Sequence, residues 1–195
     1  MERRALAEAP EIRAGDNGKT IAGYAAVFNQ ETDIGGSFRE IVAPGAFRGS
    51  LDNDVRALID HDSGRVIGRT RSGTLRLSED DKGLAVEIDL PDTSDGRDLA
   101  VSLERGDISG MSFGFRVTHD EWDESSETPM RTIHKVELFE VSAVAFPAYA
   151  DTELALRSLN DERGKRELAE RNAAMASARI AARKAEQEQK IRGIK

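Results

Sequence analysis

The sequence predicts a mainly β fold, a barrel or a sandwich, with a helix set among the strands and a separate charged helix at the C-terminal end. Three observations carry this. Short apolar runs recur roughly every eight to twelve residues between Gly and Asp turn signals, the spacing of all-β architectures. One stretch breaks that rhythm with helical spacing, Leu99 and Leu103 lying one turn apart. After Asn160 the chain is largely Ala, Glu, Arg, Lys and Gln without Pro, a helix-forming composition.

The elements follow in order. Residues 1 to 18 read as a frayed start or an edge strand, with Gly15-Asp16-Asn17-Gly18 as a turn. Thr20 to Asn29 is a strand with a bulge at Gly23. Gly35-Gly36 marks a loop, Phe38 to Val42 a short strand, and Pro44-Gly45-Ala46-Phe47 a turn. Val55 to His61 alternates as a strand, with Val55, Ala57, Ile59 and His61 on one face. Val66 to Arg69, Thr74 to Ser78 and Leu84 to Leu90 continue the pattern. Thr93 or Ser94 caps a helix to Arg105, which Gly106 stops. Two strands follow, Ile108 to Thr118 and Thr132 to Phe146, around an acidic loop from Asp120 to Thr128, and Pro147 closes the second.

A chain of 195 residues accommodates one domain and an appendage. We place them at 1–158 and at 159–195, the latter a charged helical tail. Leu168, Met175 and Ala182 recur at heptad spacing in that tail without a second apolar seam, so it reads as an exposed helix able to self-associate into a homo-oligomer. At 38% hydrophobic and 33% charged, the composition fits a packed core rather than general disorder. With no cysteine and three histidines, neither a thiol nucleophile nor a thiolate metal site is open, and no cofactor or metal is expected.

The net charge of −8 is unevenly spread, since the stretch from Asn160 on holds ten Lys/Arg against six Asp/Glu. The body is therefore acidic, which argues against nucleic acid as a partner. The basic tail mixes its signs and reads as a solvated helix face. No apolar run is long enough for a bilayer, so no membrane partner is expected. Met1-Glu2-Arg3-Arg4-Ala5-Leu6-Ala7 is not a secretory signal, and the cytoplasm is the expected location.

The chemistry centres on Ser112 within Gly110-Met111-Ser112-Phe113-Gly114. The pattern Gly-x-Ser-x-Gly fits the nucleophile elbow of α/β-hydrolases, but an elbow needs a helix after the serine and here strand pattern continues. On a strand, Met111, Phe113 and Phe115 face one way and Ser112, Gly114 and Arg116 the other. Gly110 and Gly114 would then leave space beside Ser112 for a substrate backbone. The plain alternative is a small polar residue on a solvent face.

A serine hydroxyl needs a base, and His61-Asp62 offers one at a strand end, near solvent. A satisfied structural histidine is the plain alternative. A metal-dependent phosphohydrolase of the His-Asp type would need further ligands, and only His119 and His134 remain. Glu140 is the third candidate: Leu138, Glu140, Ser142 and Val144 share a face, so a carboxylate interrupts an apolar row and needs a partner. An imidazolium is one, and a carboxylate orienting the base completes a serine-hydrolase site. An ion pair with Arg116 or Arg131 is the other, and Glu137 on the opposite face is the weaker candidate.

The order of these pieces resembles the tailed-phage prohead (capsid maturation) serine protease family, which is similar in turn to the herpesvirus assemblins. The matching stretches are Gly23-Tyr24-Ala25-Ala26-Val27-Phe28, Pro44-Gly45-Ala46-Phe47, Leu58-Ile59-Asp60-His61-Asp62, Ile108 to Phe115, Phe139 to Val144, and Pro147-Ala148. Together they span residues 20 to 157. The resemblance implies a closed antiparallel β-barrel flanked by helices and a serine endopeptidase with His61 as general base, Ser112 as nucleophile and Glu140 orienting the imidazole. Where the assemblins use a second histidine, the equivalent strand here offers Glu140. Oxyanion donors are expected among backbone N–H groups around Phe146 and Ala148.

The resemblance also implies substrates and a place. Such enzymes cut scaffold and major capsid protein, and themselves, inside the immature head in the bacterial host cytoplasm. The tail would tether the enzyme to scaffold or capsid protein. Two alternatives stay open: a catalytically silent head-assembly module, and an esterase of the α/β-hydrolase type.

Overall fold

The computed structural model describes residues 1–6, 11–15, 18–146 and 152–192, and among them lie eleven strands and two α-helices. In chain order the strands are β1 (Glu2–Leu6), β2 (Glu11–Gly15), β3 (Gly18–Val27), β4 (Thr32–Ile34), β5 (Phe38–Val42), β6 (Arg56–Ile59), β7 (Asp62–Arg69), β8 (Leu75–Glu79) and β9 (Gly83–Asp89). Helix α1 (Ser94–Arg105) is followed by β10 (Gly110–Asp123), β11 (Met130–Val144) and α2 (Thr152–Arg192). Met1–Thr152 form one compact unit and Glu153–Lys195 a second. Helix α2 begins ahead of the composition change at Asn160. Among the described residues no helix is long and apolar enough to cross a membrane.

The local signals act as chemistry dictates. Thr93 Oγ1 accepts from the Gly96 amide at 3.3 Å, and Gly106 ends α1 at φ 78°, where a side chain would be strained. The bulge in β3 falls at Ala25, between Tyr24 and Ala26, and not at Gly23. Asp120 to Asp123, expected in a loop, belong to β10.

The expected closed barrel is not what forms. β11 pairs antiparallel with β10 on one side. Its other side is shared lengthwise by two parallel partners, β5 against Met130–Ile133 and β6 against Glu140–Ala143. A strand of 15 residues is long enough to serve both, so the sheet branches instead of curling shut. One sheet runs β1-β10-β11-β5-β4 with β6 and β7 on the branch, and the other runs β2-β3-β9-β8. Among the described residues no ladder joins the two, and the parallel pairs also depart from the all-antiparallel expectation.

The core lies against the inner face of β10. Phe28, Phe47, Phe113 and Phe115 stack in a chain of ring contacts 4.7–6.2 Å apart, with Met111, Val141 and Ala143 beside them. One irregularity here positions the site. Gly114 pairs with Glu140 and Phe115 with Leu138, so Phe139 is an extra residue on β11. This bulge reverses the alternation. Leu138 stays in the core, whereas Glu140 and Ser142 turn to the opposite face, so Glu140 does not interrupt the apolar row that contains Leu138. Ser50 Oγ secures the bend, donating to Val136 O at 2.7 Å and accepting from Leu138 N at 3.2 Å.

Candidate active site

Ser112 lies on the face of β10 away from Met111, Phe113 and Phe115, as the alternation requires. It does not face solvent, being 1% exposed. β1 runs beside it as the outermost strand, with Ala5 directly opposite, and the Ser112 hydroxyl donates to the Arg4 carbonyl oxygen at 2.9 Å. β10 continues unbroken through Gly114, so there is no nucleophile elbow, and the branched, mostly antiparallel sheet excludes an α/β-hydrolase.

Gly114 serves a purpose other than the expected substrate space. A Cβ at that position would collide with Glu140 Oε1 and stand 3.0 Å from its Cδ and Cγ. The glycine lets the Glu140 carboxylate lie flat across the neighbouring strand, 4% exposed. The ion pairs considered for Glu140 form elsewhere: Arg116 pairs with Glu137, and Arg131 with Glu2, Glu40 and Asp120.

Glu140 instead binds His61, its Oε1 lying 2.6 Å from Nδ1. β6 ends at Ile59, and Asp60 and His61 are the two central residues of the hairpin to β7, where Ile59 pairs with Asp62. Both have positive φ, 47° and 60°, as a two-residue hairpin turn of type I′ requires. Neither is glycine, and holding such a backbone costs about 1–3 kcal/mol. Local bonds offset the strain. Asp60 N donates to Ala143 O at 2.9 Å, Asp60 Oδ1 accepts from Ala145 N at 3.1 Å, and His61 N donates to Ser142 Oγ at 3.2 Å. Asp62, the other half of the dipeptide, accepts from Gly64 N and is not the partner of the imidazole.

Ser142 is the residue that sequence reasoning passed over. Its Oγ donates to Glu140 Oε2 at 2.8 Å while accepting the His61 amide, so one hydroxyl fixes both the carboxylate and the turn. The signal was present, because Glu140-x-Ser142 is an i, i+2 pair on one strand face. Ser142 also sits directly opposite Ser112 in the ladder. Cross-strand side chains in that relation lie about 5 Å apart, which brings Ser112, Ser142, Glu140 and His61 into one patch.

The chemistry of the patch follows. A carboxylate can only accept, so Nδ1 is the donor in this contact, and in the neutral imidazole Nε2 then keeps a lone pair that can act as a base. The Ser112 hydroxyl is the nearby ladder-opposed group that such a base would serve. Among the described residues no hydrogen bond yet joins Nε2 to Ser112 Oγ, whose proton is directed at Arg4 O. The rings of His119 and His134 lie together, 5.3 Å apart, and no three His, Asp or Glu among the described residues could hold a metal. Of the expected oxyanion donors, Ala148 lies outside the described residues.

Residues 7–166 match the family described as caudovirus prohead serine protease. The chain belongs to that family. The prohead protease of Enterobacteria phage HK97 is 36% identical over 147 residues, covering 71% of this chain and 60% of its own length. The prohead protease of Escherichia phage T5 is 33% identical over 104 residues, 53% of this chain and 46% of that one. This chain thus spans less than two thirds of either relative. Among solved structures, the bacteriophage T4 capsid assembly protease aligns with a TM-score of 0.48 at 12% identity, covering 74% of this chain and 99% of that one.

Proposed function

We propose that this chain is the serine endopeptidase of capsid maturation, with Ser112 as nucleophile, His61 as general base and Glu140 as the group that orients the imidazole. The observation that carries the reading is the Nδ1–Glu140 contact of 2.6 Å, made from a strained turn beside a buried serine. His61 Nε2 takes the proton of Ser112 as Oγ attacks the peptide carbonyl carbon. Glu140 stabilises the imidazolium, which then gives that proton to the leaving amide nitrogen as the C–N bond breaks. Water repeats the sequence on the acyl-enzyme and frees Ser112.

The substrates we infer are the major capsid protein and the scaffold, cut inside the procapsid in the host, together with the enzyme itself. Confinement there raises the local substrate concentration, so modest affinity suffices. The helical tail, within our proposed segment 159–195, would tether the enzyme to scaffold or capsid protein. A truncation after Leu159 that still packaged normally would remove that role.

Co-expression with the cognate capsid protein tests the activity. Wild type is expected to process it, and Ser112→Ala and His61→Ala to lose about four to six orders of magnitude in rate. Processing by both variants at the wild-type rate would leave only an assembly role.

A further inference from the structure

The turn that carries His61 begins with a residue its backbone does not require. Two consecutive positive-φ positions are held most cheaply by Asn-Gly or Asp-Gly, and here they are Asp60 and His61, at φ 47° and 60°. The second position supplies the imidazole. At the first, glycine would sit without strain. Asp60 is also exposed, so packing does not call for its side chain. The carboxylate has another use.

That use lies at the end of β11. The parallel ladder between β6 and β11 stops at the pair Ile59–Ala143, and the ladder to β10 stops at Val144. Ala145 is the first residue past both, and its amide donates to Asp60 Oδ1 at 3.1 Å. A side chain thus carries the link between β6 and β11 beyond the last backbone rung. The Asp60 amide makes the bond before it, to Ala143 O at 2.9 Å, and the His61 amide donates to Ser142 Oγ at 3.2 Å.

The consequence falls on the base. Glu140 stands on β11 and His61 on the turn, so the 2.6 Å contact between Oε1 and Nδ1 depends on where the turn sits along β11. Of the three bonds that fix the turn there, the one to the Asp60 carboxylate alone reaches past the strand end. Without it the turn is held at Ser142 and Ala143 and can pivot about them. A displacement of about 1 Å in a reacting group can cost about a hundredfold in rate. Asp62, on the other side of His61, is engaged within β7, accepting from Gly64 N.

We propose that Asp60 is a positioning residue, whose carboxylate locks the His61 turn to the end of β11 and so holds Nδ1 in register with Glu140. The inference rests on His61 being the general base.

Three full-length variants separate hydrogen-bond acceptance from backbone conformation. Asp60→Asn keeps a side-chain oxygen for the Ala145 amide and tolerates positive φ. Asp60→Gly frees the backbone but removes the acceptor, and Asp60→Ala removes the acceptor and strains the backbone. On the cognate capsid protein, kcat of the Gly and Ala variants should fall alike, about tenfold to a hundredfold, with KM within about twofold. Asp60→Asn should stay within about threefold of wild type. Stability should sort differently, Asp60→Gly unfolding at higher urea than Asp60→Ala. A kcat that follows stability across those two, or an Asp60→Asn value as low as that of Asp60→Gly, overturns the proposal.

Proton NMR of the Nδ1–H group, in the Ser112→Ala chain, reads the register without turnover. The signal should be present with Asp60 in place and in Asp60→Asn, and be lost to solvent exchange in Asp60→Gly. Its unchanged persistence in Asp60→Gly overturns the proposal. Loss of the signal, with turnover unaltered in both Asp60→Gly and His61→Ala, sinks the catalytic reading and leaves the positioning role standing. Unaltered turnover in Asp60→Gly while His61→Ala is silent sinks the positioning role and leaves the base.

Discussion

Two buried polar clusters meet along β10 and differ in how many of their groups are already satisfied. In one, Arg4 and Arg131 both bind Glu2 and Glu40, and Arg131 binds Asp120 as well, through bonds of 2.6–3.4 Å. Burial pulls the Arg4 guanidinium toward neutrality, but the charges of Glu40 and Glu2 outweigh it and its pKa is raised. Arg131 behaves alike, burial opposed by Glu2 and Glu40. Both stay charged at any accessible pH. In the other, His61, Glu140 and Ser142 form one chain of bonds and leave Nε2 with its lone pair. A saturated cluster can only hold shape, whereas an unsaturated one can move a proton. β1 belongs to both, lending a guanidinium to the first and a carbonyl to the second.

Substitutions can break that contrast, and the largest effect should come from the unsaturated side. Glu140→Gln keeps the size but no longer fixes the tautomer, and kcat on the capsid protein should fall about 10³- to 10⁴-fold. Retained turnover would place Glu140 among structural residues. Arg131→Ala should act on stability instead. Leaving the buried Glu2 and Glu40 to share the single guanidinium of Arg4 is expected to cost about 3–5 kcal/mol in urea unfolding, whereas Ser112→Ala should change it by about 1 kcal/mol. The reverse order would dissolve the distinction.

Gly114→Ala tests the join between the two effects. Its Cβ pushes the Glu140 carboxylate away, so we expect about 1–3 kcal/mol of destabilisation and a fall in turnover together, from paired unfolding and cleavage measurements. The smallest effect belongs to an exposed pair. The hydrogen bond from Arg76, helped by Thr20, holds the Asp89 carboxyl down at about 2. A depressed folded-state pKa means stabilisation that is present above the ordinary carboxylate value of 3.8 and lost as pH falls through about 2. Arg76→Ala should return Asp89 toward 3.8 in a carboxyl NMR titration, with stability at neutral pH changed by less than about 0.5 kcal/mol because solvent screens the pair.

What the sequence disclosed depended on whether neighbours in the chain determined the outcome. Helix α1 was legible from its cap and stop, and the inward facing of Met111, Phe113 and Phe115 from period two. Ser112, His61 and Glu140 could be singled out by residue type. Their mutual geometry could not, because it depends on the extra residue Phe139 and on positive φ at Asp60 and His61, neither of which has a period or a glycine to announce it. The barrel expectation failed for a related reason. Whether β11 takes one partner or two along its length is a matter of long-range pairing. The role of Gly114 was misread because the group filling its space comes from a strand paired across the hairpin.

Two serines, Ser112 and Ser142, face each other across the β10–β11 ladder, and we propose opposite duties for them. The direct measurement is capsid-protein processing by Ser112→Ala and Ser142→Ala proteins side by side. We predict that the first is silent, while the second, missing a hydroxyl that only steadies Glu140 and His61, still cuts at a reduced rate. Processing by the Ser112→Ala protein, or silence from Ser142→Ala alone, would contradict the assignment.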